Sequence, residues 1–165
     1  MRCSGIALLL VSSLISWGQT SPRVQSSLPL REGWTIQAAC RVDDGGEKIS
    51  TAGFQSQGWH RATVPTTVLA ALVEDKVYPD PDWGMNLRKI PGTVYPIGAN
   101  FANLPMPQDS PFMGPWWFRK EFVLPAAYRG KTLWLDFGGI NYRANIWLNG
   151  KQIANSDAVA GAWRS

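Results

Sequence analysis

The stretch that most constrains this chain is Leu133-Trp134-Leu135-Asp136-Phe137, where every second side chain is apolar. Successive side chains of a β-strand point to opposite faces, so Leu133, Leu135 and Phe137 share one face and Trp134 and Asp136 the other. Ile146 and Leu148 repeat the alternation, and Asn149-Gly150 then offers the two positive-φ residues of a tight hairpin turn. Lys151 to Ala154 returns as the second arm. Upstream, Trp116-Trp117-Phe118-Arg119-Lys120-Glu121-Phe122 reads as another aromatic strand. The pattern predicts an all-β sheet structure with strands at 116–124, 132–137, 144–148 and 151–154.

The first half is more varied. A strand is expected at 34–42, ended by the turn cluster Asp43-Asp44-Gly45-Gly46. Residues 50–58, with Gly53 and Gly58, read as loop, and 61–64 as a short strand that Pro65 stops. The one good helix is 66–75. Thr66 or Thr67 can cap it, and Val68, Leu69, Leu72 and Val73 lie on one face. Lys76 sits well at its carboxyl end, whereas Glu74 and Asp75 oppose the helix dipole there, so the helix should be short. From Tyr78 to Pro115 eight prolines make the chain loop-like. Trp83, Asn86, Tyr95, Asn100, Phe101, Asn103 and Phe112 are interleaved with them, and long loops inside compact domains are usually functional or disordered. This is the expected functional surface.

Residues 1–20 read as a signal peptide. Arg2 supplies the charge, Ile6 to Ile15 a short apolar run, and Ser16-Trp17-Gly18 a small-x-small cleavage pattern. An apolar run this short does not span a bilayer, which takes about twenty residues, so no mature transmembrane segment is expected. Residues 21–27 read as a linker, and 28–165 as one domain. With Cys3 removed, Cys40 has no internal partner and is expected as a buried, inert thiol. The net charge of +4 is spread over scattered Lys and Arg residues, Arg88-Lys89 and Arg119-Lys120 among them, with no longer basic run, which argues for solvated surface and against a nucleic-acid partner. The nine Trp suit either a β-core or stacking on sugar faces, and most are expected in the core.

Trp116-Trp117-x-Arg119-x-x-Phe122, then Phe137-Gly138-Gly139-Ile140, then Trp147-Leu148-Asn149-Gly150 follow the order of motifs in a known domain. The chain resembles the N-terminal sugar-binding domain of family 2 glycoside hydrolases, a galactose-binding-like jelly-roll β-sandwich. Ala62 to Leu69 and Tyr78 to Leu87 extend the likeness, which is nearest to the exo-β-D-glucosaminidase and β-mannosidase branch. The resemblance implies an exported enzyme that hydrolyses terminal β-linked hexosides with retention and without metal or organic cofactor. It also implies a sandwich domain and a catalytic barrel downstream, so the domain reads as C-terminally incomplete, with an unpaired edge strand and a silent active site.

The chemistry agrees with that expectation. Retaining hydrolysis needs two carboxyl groups about 5–5.5 Å apart. Asp80 and Asp82 flank Pro81 in what reads as a turn, Asp43-Asp44 is another turn, and Asp136 falls on the polar strand face. None of Glu32, Glu47, Glu74 or Glu121 matches the family's catalytic glutamates. His60, the one histidine, lacks a serine nucleophile motif and reads as a surface or packed residue. The expected role is sugar recognition. By resemblance, Asn100 in Tyr95-Pro96-Ile97-Gly98-Ala99-Asn100 contacts the substrate, and Asp157 in Asn155-Ser156-Asp157 gives a second polar contact; Trp83 is the aromatic candidate. Where β-mannosidases carry Asp-Asn-Met-Phe, this chain has Ala158-Val159-Ala160-Gly161. The rival from another class is a free-standing carbohydrate-binding module.

Overall fold

The computed structural model describes residues 27–93, 106–108 and 110–159. The expected leader at 1–20 and the loop carrying Asn100 lie outside the described residues. The described strands are Trp34–Ala38 (β1), His60–Ala62 (β2), Trp116–Lys120 (β3), Ile146–Leu148 (β4) and Lys151–Ala154 (β5). Two helices, Gly46–Ile49 (α1) and Val68–Glu74 (α2), accompany them. The class is all-β with antiparallel sheets, as expected.

β1 is the central strand of a three-stranded sheet ordered β2–β1–β3, both neighbours antiparallel. Trp34 is opposite Ala62 on one side and Lys120 on the other. β1 is paired on both edges, and Ile36, Gln37 and Ala38, which alternate between its two faces, are all buried. The buried Gln37 side chain is satisfied locally, its oxygen accepting from the Ala38 amide at 3.0 Å and its nitrogen donating to the Gly58 carbonyl at 3.4 Å. Ile36, Ala62, Ala71 and Leu72 form the core, with Trp34, Val68, Tyr78, Phe112 and Trp116 packed around it. Burial of an Ile or Leu side chain stabilises by about 1.5–3 kcal/mol each.

α2 is built as the sequence predicts. Thr67 is the N-cap, its hydroxyl accepting from the Ala70 amide at 3.1 Å. Val68, Ala71 and Leu72, spaced three and four apart, face the sheet. The carboxyl end closes with two reversed bonds, Val77 N–H to Leu72 C=O at 2.8 Å and Lys76 N–H to Val73 C=O at 3.1 Å. That closure requires a left-handed residue, and Lys76 takes it at φ 64°.

Several expectations are corrected. β1 stops at Ala38 because Ala39–Arg41 turns as a 3-10 helix, with the Ala39 amide on Pro115 C=O at 2.9 Å. Cys40 on that turn is exposed, not buried. The cluster Asp43–Gly46 leads into α1, a second helix that the sequence reading missed. β3 ends at Lys120 rather than at 124, and β4 begins at Ile146 rather than at 144. The largest departure is 132–137, which joins no strand. Alternation assigns faces, but a strand also needs a neighbour for its backbone groups, and none among the described residues supplies one. Asp136 therefore stands on no strand face.

The β4–β5 hairpin turns through Asn149 (φ 49°) and Gly150 (φ 83°), both left-handed as the turn demands. α1 and the residues after it anchor this hairpin. The Gly150 amide donates to the Ser50 hydroxyl at 2.8 Å, and the Trp147 indole lies so close to Gly46 that an added Cβ would overlap it.

Candidate functional site

Trp83 and Asp157 sit on two separate turns, and each turn is organised by side chains that cap backbone amides. Trp83 follows Asp80-Pro81-Asp82, where the Asp80 carboxylate accepts from the Asp82 amide at 3.0 Å and the Asp80 carbonyl from the Trp83 amide at 3.3 Å. Asp80 is a turn residue, as its place beside Pro81 implies. Gly84 follows at φ 57°, and the Trp83 side chain is 78% exposed. Between this loop and α2 runs an open cleft of about 590 Å³, with Leu69, Ala70 and Val73 on the helix side and Pro79 and Pro81 on the loop side.

Asp157 follows the hairpin. Asn155 Oδ1 accepts from the Asp157 amide at 3.2 Å and the Ala158 amide at 2.9 Å. Asn145 Oδ1, from the strand-entry side, accepts from the Ser156 amide at 3.0 Å and from Gln152 Nε2 at 3.1 Å. The Ala144 amide on Val159 C=O at 3.2 Å closes the far side. Two Asn side chains thus fasten the turn at several points. Asp157 is exposed, and its carboxylate has no hydrogen-bond or ion-pair partner among the described residues. A short acidic side chain on a fixed turn can accept from ligand hydroxyls or an ammonium group. Asn145 and Asn155 were not singled out in the sequence; the Asn-x-Asp spacing at 155–157, typical of a local side-chain cap, was the available signal for the second.

No hydrogen bond, ion pair, ring contact or cavity among the described residues joins Trp83 to Asp157. Asn100, the third sequence candidate, lies outside them. The aromatic expectation divides. Trp34 and Trp116 pack on the core, while Trp83 and Trp134 are exposed.

Glu32, Asp44, Asp75, Asp80 and Glu121 have side-chain partners among the described residues. Asp75, at the carboxyl end of α2, accepts from Arg61 Nε at 3.1 Å and stands 3.2 Å from His60 Nδ1. Burial pushes its carboxyl up, but the Arg61 and His60 hydrogen bonds and the Arg61 charge outweigh that and hold it below the usual value. His60 is half-buried and held against Asp75, the packed one of the two roles expected of it. Glu121 is lowered by the hydrogen bond from Arg119, at 2.9 Å, and by the Gly53 amide. Arg119 was counted with the solvated basic residues, and the structure overturns that. Its side chain is 11% exposed, donates to Ile49 C=O (2.9 Å) and Thr51 C=O (3.0 Å), and lies 5.5 Å above the Phe54 ring. Among the described residues no cluster of three or more His, Cys, Asp or Glu could hold a metal ion, and no helix is long and apolar enough to cross a membrane.

With that geometry established, three comparisons bear on it. Residues 109–164 match the family described as glycosyl hydrolase 2 galactose-binding domain-like. The exo-β-D-glucosaminidase of Streptomyces avermitilis is 34% identical over 131 residues, covering 79% of this chain and 12% of that enzyme. A mannosylglycoprotein endo-β-mannosidase of Lilium longiflorum is 29% identical over 73% of this chain and 12% of its own length. The crystal structure of the Amycolatopsis orientalis exo-chitosanase CsxA superposes with a TM-score of 0.58 at 26% identity, over 79% of this chain and 13% of that one. The same enzyme has been solved in complex with PNP-β-D-glucosamine. The chain thus spans about an eighth of the length of these relatives.

Proposed function

The chain carries a galactose-binding-like domain of family 2 glycoside hydrolases, of the kind found in exo-β-glucosaminidases, and from that premise we propose that it helps form the terminal-sugar subsite of an exported retaining β-glycosidase. The substrate class proposed is a β-linked glucosaminide, supported by the exo-β-D-glucosaminidase relative and the PNP-β-D-glucosamine complex, with the β-mannoside of the Lilium relative's name as the competing hexoside. The two reacting carboxyl groups come from outside this chain, in which none of Glu32, Glu47, Glu74 or Glu121 matches the family's catalytic glutamates. Asp157 carries the reading. Its carboxylate is exposed and has no partner among the described residues, on a turn that Asn145 and Asn155 fix in place. Held ready, it accepts from a sugar hydroxyl or ammonium without first being ordered, which favours binding. Asn100 is proposed as the second polar contact and Trp83 as the aromatic one, and the leader at 1–20 as the export signal.

The test is Asp157→Ala in the enzyme that contains this domain. Loss of a hydrogen bond to a charged group costs about 1.5–3 kcal/mol, so kcat/KM on an aryl β-glucosaminide should fall by roughly tenfold or more. The melting temperature should stay near the parent's, since the Asp157 amide, not its carboxylate, serves the turn. Parental kcat/KM would remove Asp157 from the subsite.

A further inference from the structure

Deamidation of an asparagine is an intramolecular reaction. The backbone nitrogen of the following residue loses its proton and attacks the asparagine Cγ. The new N–Cγ bond closes a five-membered imide, the Cγ–Nδ2 bond breaks, and the carboxamide nitrogen leaves as ammonia. Water then opens the imide at either carbonyl, giving aspartate or an isoaspartate whose main chain is longer by one methylene. A bulky following residue hinders the attack, and glycine or serine hinders it least. Of the chain's seven asparagines, only Asn149, before Gly150, and Asn155, before Ser156, have such a neighbour; the others precede Leu, Phe, Tyr or Ile. The two flank β5. In both, the attacking nitrogen is already engaged by a side chain distant in sequence. The Gly150 amide donates to Ser50 Oγ at 2.8 Å, and the Ser156 amide to Asn145 Oδ1 at 3.0 Å. The carboxamide of Asn155 is held as well, its Oδ1 accepting from the amides of Asp157 and Ala158.

We propose that Asn149 and Asn155 are latent deamidation sites, and that Ser50 and Asn145 keep them intact by holding the amides that would attack. An amide that donates to a fixed oxygen must break that bond before it can shed its proton and swing onto Cγ. The net worth of such a bond corresponds to roughly two- to tenfold in rate. At the hairpin tip the backbone has little room to rotate. Asn149 and Gly150 are held at φ 49° and 83°, and the Glu47 carbonyl stands 3.1 Å from where a Cβ on Gly150 would lie. The consequence of failure is local. Isoaspartate at 149 adds a methylene between β4 and β5 and spoils the two-residue turn that sets their register. Isoaspartate at 155 does the same inside the turn of Asp157. The bonds that shape these two turns thus also preserve their covalent structure.

The test is an ageing experiment on the enzyme that contains this domain, held at mildly alkaline pH and sampled by peptide mapping with mass spectrometry, which counts Asn, Asp and isoaspartate at each position. Ser50→Ala should speed deamidation at Asn149 by roughly two- to tenfold, and at Asn155 by less, since Asn145 still holds the Ser156 amide. Asn145→Ala should do the reverse, with Asn155 the faster-ageing site. Ser50→Thr, which keeps the hydroxyl, should age at the parental rate. Each variant thus carries its own reference at the other asparagine, so general loosening of the fold is told apart from loss of one hydrogen bond. A parental rate at Asn149 in Ser50→Ala, or at Asn155 in Asn145→Ala, would overturn the proposal. So would equal acceleration of both sites in either variant, or a Ser50→Thr enzyme that ages like Ser50→Ala.

Discussion

Trp34–Ala38 and Leu133–Phe137 are two five-residue stretches in which apolar residues occupy every second position, Trp34, Ile36 and Ala38 in one and Leu133, Leu135 and Phe137 in the other. β1 has an antiparallel neighbour on each side and helix α2 close by, and Ile36 is completely buried. Leu135, the matching residue of the second stretch, is 43% exposed and in no ladder. The difference is one of neighbours, not of residues. A period of two decides which side chains share a face; burial and backbone pairing come from elements far away in the sequence.

The most direct way to break this comparison is truncation at both places. Ile36→Ala empties a fully packed site and should cost about 2–5 kcal/mol in denaturant unfolding. Leu135→Ala should cost less than about 1 kcal/mol. Equal losses would mean that 132–137 is buried in solution. Next in size is Gly46→Ala, which drives a Cβ into the Trp147 indole and should destabilise by about 1–3 kcal/mol. The same substitution at Gly58, where nothing lies nearby but φ is 75°, separates crowding from backbone strain.

The tie between β2 and α2 sharpens the picture through pH. Asp75 has its folded pKa below the unfolded value of about 3.9, so its contribution is present above that pH and is lost as pH falls through the folded value. The parent's melting temperature should drop on acidification below about pH 4 more steeply than that of Asp75→Asn. Parallel curves would show that the carboxylate contributes nothing. The smallest effect has the opposite sign. Lys76→Gly relieves a left-handed lysine in the helix closure and should stabilise by about 0.5–1 kcal/mol, raising the melting temperature.

What could be read from the sequence was local. The Thr67 cap, the helix end near Lys76 and the Asn149-Gly150 turn each depend on residues within a few positions of one another, and the structure has all three. Arg119 was misread because its partners, Ile49 and Thr51, lie about seventy residues away. Cys40 was misread because its exposure depends on a turn whose anchor is Pro115. At the candidate site, the motif order pointed to Asp157, but the Asn145 clamp joins residues eleven apart across a hairpin. Resemblance located the turn; only coordinates show what fastens it.

One small element deserves a dynamic reading. α1 is four residues long, yet the stretch from Gly46 to Thr51 touches both sheets. It receives the Arg119 guanidinium from β3 and presents the Ser50 hydroxyl to Gly150 of the hairpin. A shared anchor of this kind makes two sheets open as one cooperative unit. The amides of β3 and of the hairpin should then exchange with solvent deuterium at matched rates, although no ladder among the described residues connects them. Loosening Gly46–Thr51 should speed both together, so that a disturbance at the central sheet reaches the turn of Asp157 through a single helical turn.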